Sequence, residues 1–143
     1  MTMIIYTSIS SFRKRLEDLS KVRKGVYAGV NNEICSAFKN ATIEQIRSNR
    51  DLILMDSNAV IIKLRLPDKK QHLSKSEGFR LIYLALKHIE LVAFLDIYPK
   101  RGPLQQISID ANQLQTLLNE FVIEAQGKLL VKHNIMQDLA VME

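Results

Sequence analysis

Two apolar runs separated by four residues constrain this chain more than any other feature. Phe79 to Leu86 and Leu91 to Tyr98 hold eight residues each, and only Arg80 and Asp96 inside them are charged. Runs this short and this rich in apolar and aromatic residues read as strands. Their connection, Lys87-His88-Ile89-Glu90, lacks the Asn-Gly or Asp-Gly pair of a tight primed turn, so a slightly longer hairpin loop is expected. Cations mark the ends: Lys75 and Arg80 near the start of the first run, Lys100-Arg101 after Pro99 at the end of the second. A strand is stiff and alternates its side chains between two faces. Cations on such a frame are held in register, a geometry that suits a phosphodiester better than a neutral metabolite.

The rest of the chain supplies helices and one more strand. Ile4 to Ser8 is short and β-prone. Ser10 or Ser11 is placed to cap a helix carrying Phe12, Leu16 and Leu19, whose other face bears Arg13, Lys14, Arg15, Lys21, Arg23 and Lys24. After Gly25, the stripe Val26, Val30, Ile34 and Phe38 predicts a second amphipathic helix, and Thr42 a cap for a short third one. Together these read as a helical hairpin with one apolar and one basic face. Leu52 to Met55 is a short apolar run. In Ala59 to Leu66, Ile62, Leu64 and Leu66 alternate with Lys63 and Arg65, the period-two pattern of a half-buried strand stopped by Pro67. Asp68 to Ser76 is polar and reads as a loop. Asp110 is a candidate N-cap for a helix through Leu114, Leu117, Leu118 and Phe121. Residues 122–143, interrupted by Gly127, read as a C-terminal helical extension. The segregation of helices from an antiparallel meander predicts an α+β fold, in a single domain spanning residues 1–143.

The chain has 143 residues, enough for an ordinary core without disulfides or metals, and a formal net charge of +5. That excess admits a polyanionic partner, either nucleic acid or the acidic face of a protein. The single cysteine, Cys35, lies in an apolar helical pattern and reads as a small buried hydrophobe. No secretory leader and no membrane-length apolar run are visible, which predicts a cytoplasmic protein. The five glycines are scattered, so neither a phosphate-binding loop nor a dinucleotide fingerprint is present. His72, His88 and His133 are isolated, which leaves no zinc pattern, and no metal or other cofactor is expected. His72 is the histidine of interest, because it lies in the lysine-bearing loop and titrates near neutral pH.

What remains is a set of cations and tyrosines. Lys63, Arg65, Lys75, Arg80, Lys100 and Arg101 all fall on or at the ends of the expected meander. RNA cleavage needs no metal: the 2′-hydroxyl attacks the adjacent phosphorus, and the protein positions the chain and stabilises the developing charge. Arginine does this with a rigid fork of donors. A lysine or tyrosine whose pKa is lowered by neighbouring cations can take the proton. Any basic sheet face would satisfy the same description.

The run Ser76-Glu77-Gly78-Phe79-Arg80-Leu81-Ile82-Tyr83, followed by Ile97-Tyr98-Pro99-Lys100-Arg101, resembles the RelE/ParE/HigB superfamily of bacterial type II toxins over roughly residues 3 to 121. The resemblance implies a microbial-RNase fold, an N-terminal helical hairpin packed on a small twisted antiparallel sheet, here followed by C-terminal helices. It implies a toxin that cleaves mRNA, usually on the ribosome, and is neutralised by a cognate antitoxin protein. By the same resemblance Arg80 binds the scissile phosphate, Arg101 stabilises the transition state, and Lys75 is the cation preceding the Gly-aromatic-Arg step. Lys63, Arg65, His72, Lys100 and Tyr83 would then contact RNA.

The sequence also departs from that pattern. The founding type carries a catalytic aromatic hydroxyl several residues after the Lys-Arg step, and Gly102 to Ile107 holds no tyrosine. Tyr98, Tyr83, His72 or a lysine would substitute, or the reaction is slow, or the protein is not a nuclease. Two alternatives follow: a non-catalytic inhibitor like the gyrase-directed ParE branch, and a non-toxic binding module that forms a homodimer through its last helix.

Overall fold

The computed structural model describes residues 3–48, 52–55 (as backbone) and 58–142. Strand β1 (Ile5–Ser8) leads into helix α1 (Ser10–Ser20), followed by α2 (Val30–Phe38) and α3 (Ile43–Arg47). Strands β2 (Leu52–Met55), β3 (Ala59–Leu66), β4 (Phe79–Leu86) and β5 (Leu91–Pro99) form a meander. Helix α4 (Ala111–Gln126) and a last hairpin, β6 (Val131–Asn134) and β7 (Ala140–Met142), complete the chain. All seven strands join one sheet in the order β2-β3-β4-β5-β1-β6-β7. The sheet is mixed, because β1 runs parallel to β5 while the other pairs are antiparallel.

This α+β arrangement corrects the expected one in three respects. The sheet is large and mixed, where a small antiparallel one was expected. The helices do not form an N-terminal hairpin: α1 packs on β5, α2 on β3 and α3 on β4. Each apolar stripe meets the sheet, since Phe12 of α1 and Phe38 of α2 both pack on Phe94 of β5, with ring centroids 5.3 and 5.5 Å away. The connection between α1 and α2 enforces the separation. A 3₁₀ turn over Arg23–Gly25 carries left-handed backbone at Lys24 and Gly25, and α2 starts at Val30, four residues after Val26.

The third correction concerns the C-terminus. Among the described residues one helix, α4, follows the meander, and residues 131–142 fold as a hairpin instead of a helical extension. A β1 paired only with β5 would leave a row of backbone donors and acceptors open along its other edge. Strand β6 fills that edge through the pairs Tyr6↔His133, Thr7↔Lys132 and Ser8↔Val131. His133 locks the join from within, its Nε2 2.6 Å from Ser8 Oγ and its Nδ1 2.8 Å from the Leu139 carbonyl.

Helix ends follow local chemistry where the cap is local. Thr42 and Asp110 each form a reciprocal capping box, with Gln45 and Gln113 respectively. The start of α1 is different. Its N-cap is Ile9, with no side-chain cap. The first amides are taken instead by two carboxylates of α4: Glu124 accepts from Ser10 N–H at 3.1 Å, and Glu120 from Ser11 N–H at 2.8 Å. Negative charge at a helix N-terminus is favourable, so this contact ties α4 to α1 and walls off the space between them. Cys35 is buried, as its apolar surroundings require. Among the described residues no helix is long and apolar enough to cross a membrane.

Candidate nucleic-acid site

The register of the meander assembles the basic residues. Arg65 of β3 stands opposite Arg80 of β4, which stands opposite Tyr98 of β5. The neighbouring row is Lys63, Ile82 and Asp96. Residues paired across strands point to the same face, and adjacent strands lie about 4.8 Å apart. One face of the sheet therefore carries Lys63, Arg65, Arg80, Asp96 and Tyr98 together.

A β-bulge makes this possible. The pairing of β4 with β5 shifts between Ile82 and Tyr83, so that Ile82 meets Asp96 while Tyr83 meets Phe94. Ile82 and Tyr83 are consecutive and face opposite ways. Their partners Phe94 and Asp96 consequently also face opposite ways, although they are two residues apart. Unbroken alternation would have turned Asp96 and Tyr98 toward the aromatic core around Phe94. A bulge next to a site that re-aims side chains is a recurrent device.

Arg80 is 9% exposed, and its guanidinium braces the loop before β4. Its Nη1 donates to the carbonyls of Lys75 at 2.9 Å and Phe79 at 3.2 Å, and its Nη2 to that of Ser76 at 2.9 Å. Gly78 permits this loop to close over β3: a Cβ there would lie 2.1 Å from the Leu66 carbonyl oxygen. Lys100 follows β5, half-buried, and its Nζ donates to the Ile107 carbonyl at 2.5 Å. Partial burial, then repulsion from Arg80 and Lys63, holds the Lys100 ammonium below the ordinary lysine range. Arg80 and Lys63 therefore both lie within electrostatic reach of Lys100. Tyr98 is fully buried and its hydroxyl has no hydrogen-bond partner, with Ser108 beside it but outside bonding geometry. Burial pushes the Tyr98 phenol up, against the pull of Arg80.

Four expected site residues lie elsewhere. Tyr83 faces the helices, not the cations, because it is three positions from Arg80 and an odd offset on a strand crosses the sheet. It is buried, donates to the Ile46 carbonyl at 2.7 Å and packs edge-on to Phe38. Burial pushes its phenol far above the ordinary tyrosine value. Arg101 is exposed and paired with Glu77, so it does not join Arg80. Lys75 contributes its carbonyl to Arg80 and borders a cleft with Phe38, Ile46 and Leu64. Arg65, at the sheet margin, borders that cleft as well. His72 is exposed in left-handed backbone at the end of the 3₁₀ turn Lys69–Gln71. That loop is ordered from below by Glu33, which accepts from Lys69 N–H at 2.7 Å.

Two further residues join the site that sequence reasoning did not select. Arg15 of α1 reaches Asp96, with Nε 3.4 Å from Oδ1, and its Nη1 donates to Gln106 at 3.1 Å. Burial raises the Asp96 pKa, and Arg15 and the Ile97 amide pull it back. The available signal was a carboxylate inside an apolar strand, where an unpaired charge is costly. Among the described residues no cluster of three or more histidine, cysteine, aspartate or glutamate side chains is placed to hold a metal ion. No protein-family model matches the chain, and no curated protein matches it.

Proposed function

We propose that this protein is a metal-independent endoribonuclease that cleaves mRNA, acting in the cytoplasm as the toxin of a type II toxin-antitoxin pair. One observation carries the reading: Arg65, Arg80 and Tyr98 share a row across three strands, with Lys63 on the neighbouring row and Lys100 within electrostatic reach of Arg80 and Lys63. A phosphodiester seated there meets Lys63, Arg65 and Arg80, which neutralise its oxygens as charge develops. Lys100, held below the ordinary lysine range by burial and by Arg80 and Lys63, would take the proton from the 2′-hydroxyl in its neutral amine form. Tyr98 is fully buried with Ser108 beside it and does not touch RNA in this arrangement. Arg101, Lys75, His72 and Tyr83 have no catalytic part in this scheme. The ribosome supplies the substrate, and an acidic antitoxin surface is the natural cover for such a cationic face.

Induced expression tests the reading, with growth followed alongside primer extension on total mRNA. Growth arrest with new 5′ ends is expected, relieved by Lys100→Met and by Lys63→Met at equal protein level. Loss of one transition-state cation should slow cleavage by about a hundred- to a thousand-fold. Arrest without new 5′ ends would replace the nuclease by a non-catalytic inhibitor of the gyrase-directed kind. No arrest at all, or full toxicity in both variants, would remove the reading.

A further inference from the structure

The space between α1 and α4 is a cleft of about 760 Å³, within the roughly 300–1,000 Å³ typical of sites for small organic ligands. Its apolar lining comes from Val22, Leu104, Ile109 and Leu117, and its polar lining includes Asp96 and Arg15. Lys14 and Lys21 stand at the α1 side of the opening. Asp96 is 6% exposed. Its Oδ1 accepts the Ile97 amide at 2.9 Å, and lone pairs remain on both oxygens. Arg15 faces Asp96 as an ion pair, with Nε 3.4 Å from Oδ1 and no hydrogen bond between them, and donates through Nη1 to Gln106; among the described residues its Nη2 makes no hydrogen bond.

We propose that this cleft is a guanine-binding subsite, in which Asp96 accepts from N1–H and N2–H of the base and Arg15 donates to O6. The inference rests on RNA being the ligand of the adjoining cationic face. Guanine alone among the four RNA bases presents two adjacent donors followed by an acceptor along its pairing edge. Adenine turns an acceptor toward a carboxylate, and cytosine and uracil offer one donor position each. A buried carboxylate rejects such bases because the mismatch leaves polar atoms unpaired. The base plane would lie against the apolar wall, as stacked bases do on protein surfaces. Asp96 and Tyr98 point to one face two residues apart, and Tyr98 pairs with Arg80, so the cleft lies beside the row that carries Arg80.

Titration of the intact protein with 3′-GMP, 3′-AMP, 3′-CMP and 3′-UMP, followed by calorimetry, reads binding without any cleavage. 3′-GMP should bind at least about tenfold tighter than the other three, the size of a single lost donor–acceptor match. Asp96→Asn, nearly isosteric, should abolish the preference while circular dichroism shows the fold kept. Thr116→Trp fills the cleft from an exposed position on α4 and should block 3′-GMP even if Asp96→Asn fails to fold. Equal binding of all four nucleotides, no binding of 3′-GMP, or undiminished preference in Thr116→Trp would overturn the proposal. Guanine-selective binding by a protein that causes no growth arrest would keep the subsite and remove the toxin. Growth arrest with cleavage but no guanine selectivity would do the reverse.

Discussion

Replacing Arg80 by methionine keeps the apolar stem and deletes the charge, so it measures what the guanidinium contributes to the loop and to Lys100. The guanidinium donates to the Lys75, Ser76 and Phe79 carbonyls at 2.9, 2.9 and 3.2 Å. A hydrogen bond from a charged donor contributes about 1.5–3 kcal/mol net when its loss leaves the partner dry. Two of these carbonyls belong to exposed residues, Lys75 and Ser76, where water replaces the donor. The deletion also relieves repulsion with Lys100. The expected cost is therefore about 2–3 kcal/mol, well below the simple sum. For a chain of this size that lowers the melting temperature by roughly 6–12 °C. Denaturant unfolding and thermal melts measure it, and NMR titration of the Lys100 side chain adds an independent reading. With Arg80 gone, the Lys100 pKa should move up toward the ordinary lysine value. Unchanged stability together with an unmoved Lys100 would refute both the brace and the electrostatic reach of Arg80 to Lys100.

Three further outcomes follow from the packing. Gly78→Ala pushes a methyl group to 2.1 Å from the Leu66 carbonyl oxygen, a backbone atom that cannot step aside. It should cost about 3 kcal/mol or more in denaturant unfolding, the upper end for overpacking. Tyr83→Phe removes the hydroxyl bonded to the Ile46 carbonyl at 2.7 Å; stability should drop by about 1–2 kcal/mol, with RNA binding unchanged in a filter-binding assay. His133 is buried, and desolvation, aided by Arg13, holds its pKa below the ordinary value. The unfolded chain takes a proton near pH 6.5 while the native state resists, so stability declines as pH falls below about 6.5 and levels off below the native pKa. Thermal melts between about pH 7.5 and 5 should show this slope in the wild type and a shallower one in His133→Gln.

Local patterns were readable wherever a few neighbouring residues decide the outcome. The alternation of Ile62, Leu64 and Leu66 with Lys63 and Arg65 specifies a half-buried strand. Asp110 and Gln113 mark the start of α4 as a capping box. The cations of the meander were identifiable for the same reason, as charges interrupting apolar runs. Which of them meet was not. Arg101 follows Lys100 directly, yet it turns to Glu77, while Lys63, which is 37 positions before Lys100, acts on it across the sheet. The exclusion of Tyr83 was available from its odd offset to Arg80, but the bulge that brings Asp96 and Tyr98 to the cationic face was not, because it exists only in the pairing of two strands.

By itself, then, the amino-acid order determined that the chain would be an α+β protein with a basic meander and no membrane-length helix. Strand order, the parallel pairing of β1 with β5 and the strand conformation of residues 131–134 were decided in three dimensions. So were the capping of α1 by Glu120 and Glu124, and the pairing of Arg15 with Asp96. The reason is common to all of them. Short-range propensity is worth a few tenths of a kcal/mol per residue, whereas an open strand edge, an uncapped helix end or a buried lone charge costs about one to several. Each of those larger costs was relieved by a partner far away in sequence.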